Sequence, residues 1–291
     1  MTDRAARSFV SDTGSDRVPQ HSAARARKAV MKIAIAFAAA TLVVAPPGRT
    51  AAQENYEIQV YPSETADKGK TLFELHSNFT GMGSRLLVGS VLPTNHALHE
   101  TLEITHGFSD IFEVGFYVFT SASPGEGWQF VGSHLRPRIR VPESWKWPVG
   151  VSLSTEFGPT DRKFDESELG IELRPIVDQT IGKLYWAFNP TVGWSMKGPE
   201  AGKGINGMMF EPNVKLGWQF SAKVQAGVEY YGTTGSLTRM APSLEQSHML
   251  YPSVDLFLDP EWEFNAGFGF LVSGSGDKNI FKVILGRRFP W

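Results

Sequence analysis

From Thr71 to Arg288 the chain runs through one stretch after another in which every second residue is apolar. Leu98, Leu102 and Ile104 alternate with His99, Thr101, Glu103 and Thr105. Phe112, Val114, Phe116 and Val118 alternate with Glu113, Gly115 and Tyr117. Val131, Leu135, Ile139 and Val141 alternate with His134, Arg136, Arg138 and Arg140. The pattern returns around Val149–Phe157, Leu169–Val177, Trp186–Trp194, Phe210–Trp218, Val224–Tyr230, Leu250–Leu258, Trp262–Val272 and Phe281–Leu285. Side chains on a strand point alternately to its two faces, so each run has one apolar and one polar face. With Thr71–Phe79 the runs make about twelve strands of roughly nine to thirteen residues, enough to cross the hydrocarbon of a bilayer when tilted. Strands of soluble proteins are commonly near five or six residues. The expected fold is all-β: a transmembrane antiparallel up-and-down β-barrel occupying residues 71–291.

The connections agree. Gly107–Asp110, Gln219–Ala222 and Asp259–Glu261 read as tight turns, with Pro142–Pro148 and Asp178–Lys183 a little longer. Between them lie longer Gly-, Ser- and Pro-rich segments, Thr80–His96, Met196–Gly207 and Gly232–Gln246. Bacterial barrels pair short periplasmic turns with longer outer loops. Mean hydropathy is only −0.18, as expected when half of each strand faces a polar lumen. The net charge of −2 points to no nucleic-acid partner, and the absence of cysteine excludes disulfides and thiolate metal sites.

Upstream, Arg25, Arg27, Lys28 and Lys32 precede an uncharged apolar run, Ile33–Ala45. Pro46-Pro47-Gly48 and the small residues Thr50-Ala51-Ala52 follow. This is the layout of a secretory signal peptide over 31–52, and the run is too short to span a bilayer as a helix. A membrane anchor is the competing reading. Residues 1–30 read as a disordered extension, or as sequence ahead of a true start at Met31. Residues 53–70 are expected to form a periplasmic N-terminal segment, within which Tyr56-Ile58-Val60 reads either as a short strand before the barrel or as part of that segment.

Pro137, Pro175, Pro190, Pro212 and Pro252 fall on the apolar parity inside strands, where proline implies bulges or bends. Trp128, Trp145, Trp147, Trp186, Trp194, Trp218 and Trp262 suit interfacial girdles. The terminal Phe289-Pro290-Trp291 resembles the signal that outer-membrane barrels present to their assembly machinery, apart from its penultimate proline. The expected partners are therefore that machinery, reached through Trp291, together with outer-membrane lipid and lipopolysaccharide, and a small solute.

The runs Glu74–Phe79, Leu92-Pro93-Thr94, His96–Phe108, Arg136-Pro137-Arg138 and Trp147–Ser154 resemble a group of uncharacterised Gram-negative outer-membrane β-barrel proteins. There is a looser similarity to barrels associated with uptake of aromatic compounds. The resemblance implies fold and location and transfers no activity.

The polar parity assigns to the lumen Glu74, His76, His99, Glu103, His134, Arg136, Arg138, Arg140, Glu156, Glu172, Arg174, Glu211, Lys215, Glu229 and Asp255. A network of ion pairs filling the barrel is one reading, since buried charge must be paired. A polar conduit for small polar or anionic solutes is the other. Arg136, Arg138 and Arg140 form a column that attracts an anion unless Glu156 or Glu172 neutralises it. A closed structural or adhesive barrel and an outer-membrane lipid hydrolase are alternatives. The hydrolase finds no local support, because His76-Ser77 and Ser247-His248 are adjacent and so point to opposite faces. His96, His99, Glu103 and His106 are clustered, but on a strand they do not share a face, and no metal or cofactor is expected.

Overall fold

A computed structural model describes residues 55–199 and 201–290. The expected extension and signal segment, residues 1–52, lie outside the described residues, as does Trp291.

Twelve long strands follow in chain order: β1 (Lys70–Met82), β2 (Leu98–Ser109), β3 (Phe112–Ser123), β4 (Gly127–Arg140), β5 (Gly150–Pro159), β6 (Leu169–Ile181), β7 (Leu184–Lys197), β8 (Met209–Ser221), β9 (Val224–Thr233), β10 (Ser247–Leu256), β11 (Trp262–Gly274) and β12 (Asn279–Pro290). Each pairs antiparallel with its neighbours in sequence. β1 pairs with β12 from Lys70↔Pro290 to Thr80↔Ile280 and closes the cylinder. Closure removes the unpaired edges that no lipid could satisfy. In the loop after β9, Gly235–Ser236 and Arg239–Met240 form a small ladder extending from β8.

The two faces of the wall differ as the alternation requires. Leu75, Leu102, Phe116, Ile139, Phe157, Leu216, Phe268 and Phe281 all point outward and are exposed. Among the described residues this apolar surface has no protein cover, so hydrocarbon is its natural solvent. The turn end is ringed by Trp145, Trp147, Trp218 and Trp262, and Trp128 and Phe130 stand exposed at the loop end.

Two local expectations are corrected. The strand prolines make no bulges. Pro190 pairs with Pro212, and Pro175 faces Pro190 where the β6–β7 ladder is interrupted between Leu173↔Val192 and Val177↔Phe188. The register passes through unshifted, because a proline whose missing N–H falls at an interrupted rung costs little ladder. The bulges instead lie near strand ends, at Thr80/Met82, Gly107/Ser109, Phe119/Thr120, Leu169/Gly170, Gln219/Ser221 and His248/Met249. The bulge opposite Phe119/Thr120 skips Val131, which turns inward and is buried rather than facing lipid.

The larger departure concerns the lead-in. Residues 55–69 do not form a segment outside the barrel; they run in extended form through its lumen. Ile58, Val60 and Tyr61 are each less than 5% exposed. This strap starts at the loop end, where Asn55 Nδ2 donates to Asp277 in the β11–β12 loop (2.6 Å). It ends at the turn end, where Gly69 N donates to Gly107 O (2.7 Å) and the chain reverses into β1. The reversal uses the left-handed region at Gly69 (φ 75°). It also brings the Asp67 carbonyl so near Gly107 that a side chain there would collide with it.

Candidate functional site

The lumen is the site, and its chemistry is set by how the strap is held. An extended chain with no neighbouring strand must satisfy its backbone polar groups with side chains. Asn189 on β7 does this by mimicking a peptide: its Oδ1 accepts from Tyr61 N (2.7 Å) and its Nδ2 donates to Tyr61 O (3.1 Å). Asn78 donates to the carbonyls of Asn55 and Tyr56, and Thr101 donates to Tyr56 O. Lys282 donates to Ile58 O (3.0 Å) and Arg138 to Pro62 O (3.1 Å). Near the turn end Ser63 Oγ donates to Asp178 (2.5 Å), and Ala66 N donates to Glu113.

Strap side chains complete the packing. Ile58 and Val60 join Ala187, Tyr231, Met249, Tyr251 and Ile280 in one apolar cluster, and Tyr56 joins Tyr117, Phe119 and Val131 in another. The Tyr61 ring lies against three guanidinium groups, with Arg174 at 4.8 Å, Arg136 at 5.0 Å and Arg138 at 5.6 Å from its centroid. In a desolvated site each such contact is worth about 1–2 kcal/mol.

The wall charges form three networks. In the first, Arg136 bonds Glu103, Glu113 (3.0 Å), Thr105 and Tyr117, while Arg138 bonds Glu113 (2.7 Å). In the second, Arg174 bridges Glu172 (2.6 Å) and the strap's Glu57 (3.1 Å), with His134–Glu156 (2.7 Å) nearby. In the third, Glu229 accepts from Lys282 and lies 3.3 Å from Lys215, which also holds Asp255 (2.7 Å). Removing one member of such a pair strands a buried charge, which costs more than the pair itself contributes.

The residues expected in the lumen are thus placed as follows. Glu103, Arg136, Arg138, Glu172, Arg174, Lys215, Glu229 and Asp255 share these networks, and His134 pairs with Glu156. Arg140 sits at the turn end, donating to Asp110 O and meeting Glu143 (3.2 Å). Glu211 faces inward from β8, opposite Thr191. His99 Nδ1 meets Ser121 Oγ (3.2 Å) beneath the Tyr56 ring. Glu74 and His76 are buried beside Glu103. Within the arginine column, Arg136 and Arg138 are neutralised by Glu103 and Glu113 from β2 and β3 and Arg140 by Glu143, not by Glu156 or Glu172; the register sets Glu113 opposite Arg138. The strap contacts of Lys282, Asn189 and Asp178 were not anticipated. Their inward parity was the available signal, and it carries no hint of what lies inside.

No Ser–His–carboxylate triad forms among the described residues, although His134 lies between the Thr160 hydroxyl (3.2 Å) and Glu156 (2.7 Å). The Ser121–His99 contact has no carboxylate on the second ring nitrogen, and His99 Nε2 has no partner. Ser77 points outward to Glu100. Below the strap, a vestibule of about 960 Å³ opens at the turn end, lined by Lys215, Glu229, Asp255, Asn265 and Lys282 together with Tyr185 and Arg140.

A closed cylinder of lipid-length strands, apolar outside and with charge networks within, defines a transmembrane antiparallel β-barrel. No protein-family model matches the chain, and no curated protein does. Among solved structures it is similar to the NanC porin (8% identity, 75% of this chain and 100% of that one, TM-score 0.50). It is also similar to the KdgM porin in complex with disordered oligogalacturonate (10% identity, 75% and 99%, TM-score 0.49) and to Omp33 of Acinetobacter baumannii (11% identity, 76% and 99%, TM-score 0.42). At these identities the likeness speaks to the fold alone.

Proposed function

We propose that the protein is a non-enzymatic outer-membrane channel for small polar solutes, held shut by its own strap, with the long loops facing outward. The observation that carries this reading is the manner of closure. A single extended segment, continuous with the wall at Gly69–Lys70, fills a lumen whose wall carries three ionic networks beside two apolar clusters. Its release would leave a charged conduit continuous with the vestibule. Arg136 and Arg138 are bound by wall carboxylates whether or not the strap is in place, so they supply no free anion site, and the reading is for polar rather than specifically anionic solutes.

A second reading, a closed structural barrel, is favoured by the same burial of Tyr61 and the apolar clusters around it. Planar-bilayer recording separates the two. The protein with its strap is expected to open rarely, whereas a variant lacking residues 55–66 conducts steadily at a level set by the lumen. If that variant runs as a folded, heat-modifiable barrel and passes no current, the channel reading fails and the structural one stands.

A further inference from the structure

We propose that Glu74, His76 and Glu103 form a binding site for a divalent transition-metal ion of the Zn²⁺ type on the inner wall. The β1–β2 register sets Glu74 directly opposite Glu103, and His76 follows two residues along on the same face. One ligand atom from each lies within 4.8 Å of the others, and all three side chains are at least nine-tenths buried. Two carboxylates directly opposed on neighbouring strands repel one another unless something of positive charge lies between them.

The polar atoms at this point are conspicuously without partners. Glu74 Oε1 and both ring nitrogens of His76 make no hydrogen bond, although buried polar atoms of native proteins nearly always do. The nearest approach, His76 Nε2 to Glu103 Oε2, is 3.5 Å. Arg136 does not fill the gap, because it and Thr105 engage the other oxygen, Oε1, of Glu103. Glu103 can therefore serve the guanidinium on one oxygen and an ion on the other.

One imidazole and two carboxylates suit borderline ions such as Zn²⁺, with bonds of about 2.0–2.2 Å, better than Mg²⁺ or Ca²⁺, which prefer all-oxygen sets. Bonds of that length put ligand atoms about 3–4 Å apart, so the three side chains need close by only about an ångström. The strap caps the site, with Tyr61 Oη 3.4 Å from Glu103 Oε2, so a bound ion would lie between wall and strap.

The test is equilibrium dialysis of the folded, untagged, metal-stripped protein in detergent against Zn²⁺, with Ca²⁺ in parallel and metal content read by mass spectrometry. The expected result is about one equivalent of Zn²⁺ retained against Ca²⁺, with affinity lowered at least about tenfold in Glu74→Gln and His76→Ala. His96→Ala, on the outer loop, keeps it. Co²⁺ substitution gives visible bands that are lost in His76→Ala. Heat-modifiable electrophoresis confirms that each variant is folded. If the wild type retains no Zn²⁺, or if folded His76→Ala and Glu74→Gln retain as much as the wild type, the site does not exist.

Discussion

Replacing Asn189 with alanine tests the closure most directly. The side chain is fully buried and makes two hydrogen bonds, both to the backbone of Tyr61. Its loss leaves the Tyr61 N–H and C=O without partners in the lumen while the strap stays in place. A buried polar group so stranded costs about 1–3 kcal/mol, so with two such groups the seated strap loses about 2–6 kcal/mol. Released, both groups are hydrated and the penalty vanishes. At about 1.4 kcal/mol per factor of ten, the released fraction should rise roughly 30-fold to about 20,000-fold. The barrel should remain intact, because the Asn189 main chain keeps its place opposite Asn213. Hydrogen exchange of the strap amides in detergent micelles reads the released fraction, and bilayer recording reads its effect on current. If Asn189→Ala folds and its strap amides exchange no faster than those of the wild type, the strap is not held as argued.

The remaining predictions concern charge and direction. Lys282→Met leaves Glu229 with Lys215 as its one remaining cation among the described residues and removes the donor to Ile58 O, so thermal stability should drop by the equivalent of about 3–5 kcal/mol. Adding Glu229→Leu should recover part of it, and a double variant no better than the single would refute the pairing. An epitope inserted immediately before Asn55 should be reached by antibody on intact cells if the strap enters from the loop end, whereas one inserted at Ala66 should be shielded.

The wall was legible in the sequence because its faces are decided locally. Leu102 and Glu103 differ in their surroundings for no reason beyond parity, and lipid outside with paired charge inside is what parity implies. Tyr56, Ile58 and Val60 carry the same alternation, yet nothing local says which surface they meet. A strap satisfied by Asn189, Thr101 and Lys282 has partners scattered over three distant strands. The Glu74–Glu103 juxtaposition was hidden for a related reason: it exists only once the β1–β2 register is known. His96, His99 and His106, by contrast, are close in sequence but do not converge. Val131 escaped because one skipped residue reverses parity, and a bulge leaves no mark in composition.

The strap also constrains the order in which the molecule can be made. It is joined without a break to β1, one side of the seam at which the first and last described strands meet. A strap already tethered inside the cylinder at Gly69–Lys70 can leave and regain its seat, but threading it in from outside for the first time would take Tyr56 and Tyr61 past the Tyr117, Phe119 and Tyr231 rings of the inner wall. The simpler route lays residues 55–69 back along the inner side of β1 while the sheet is still open, so that curling carries them inside. On that route β12 docks last and the wall is wrapped around its own filling.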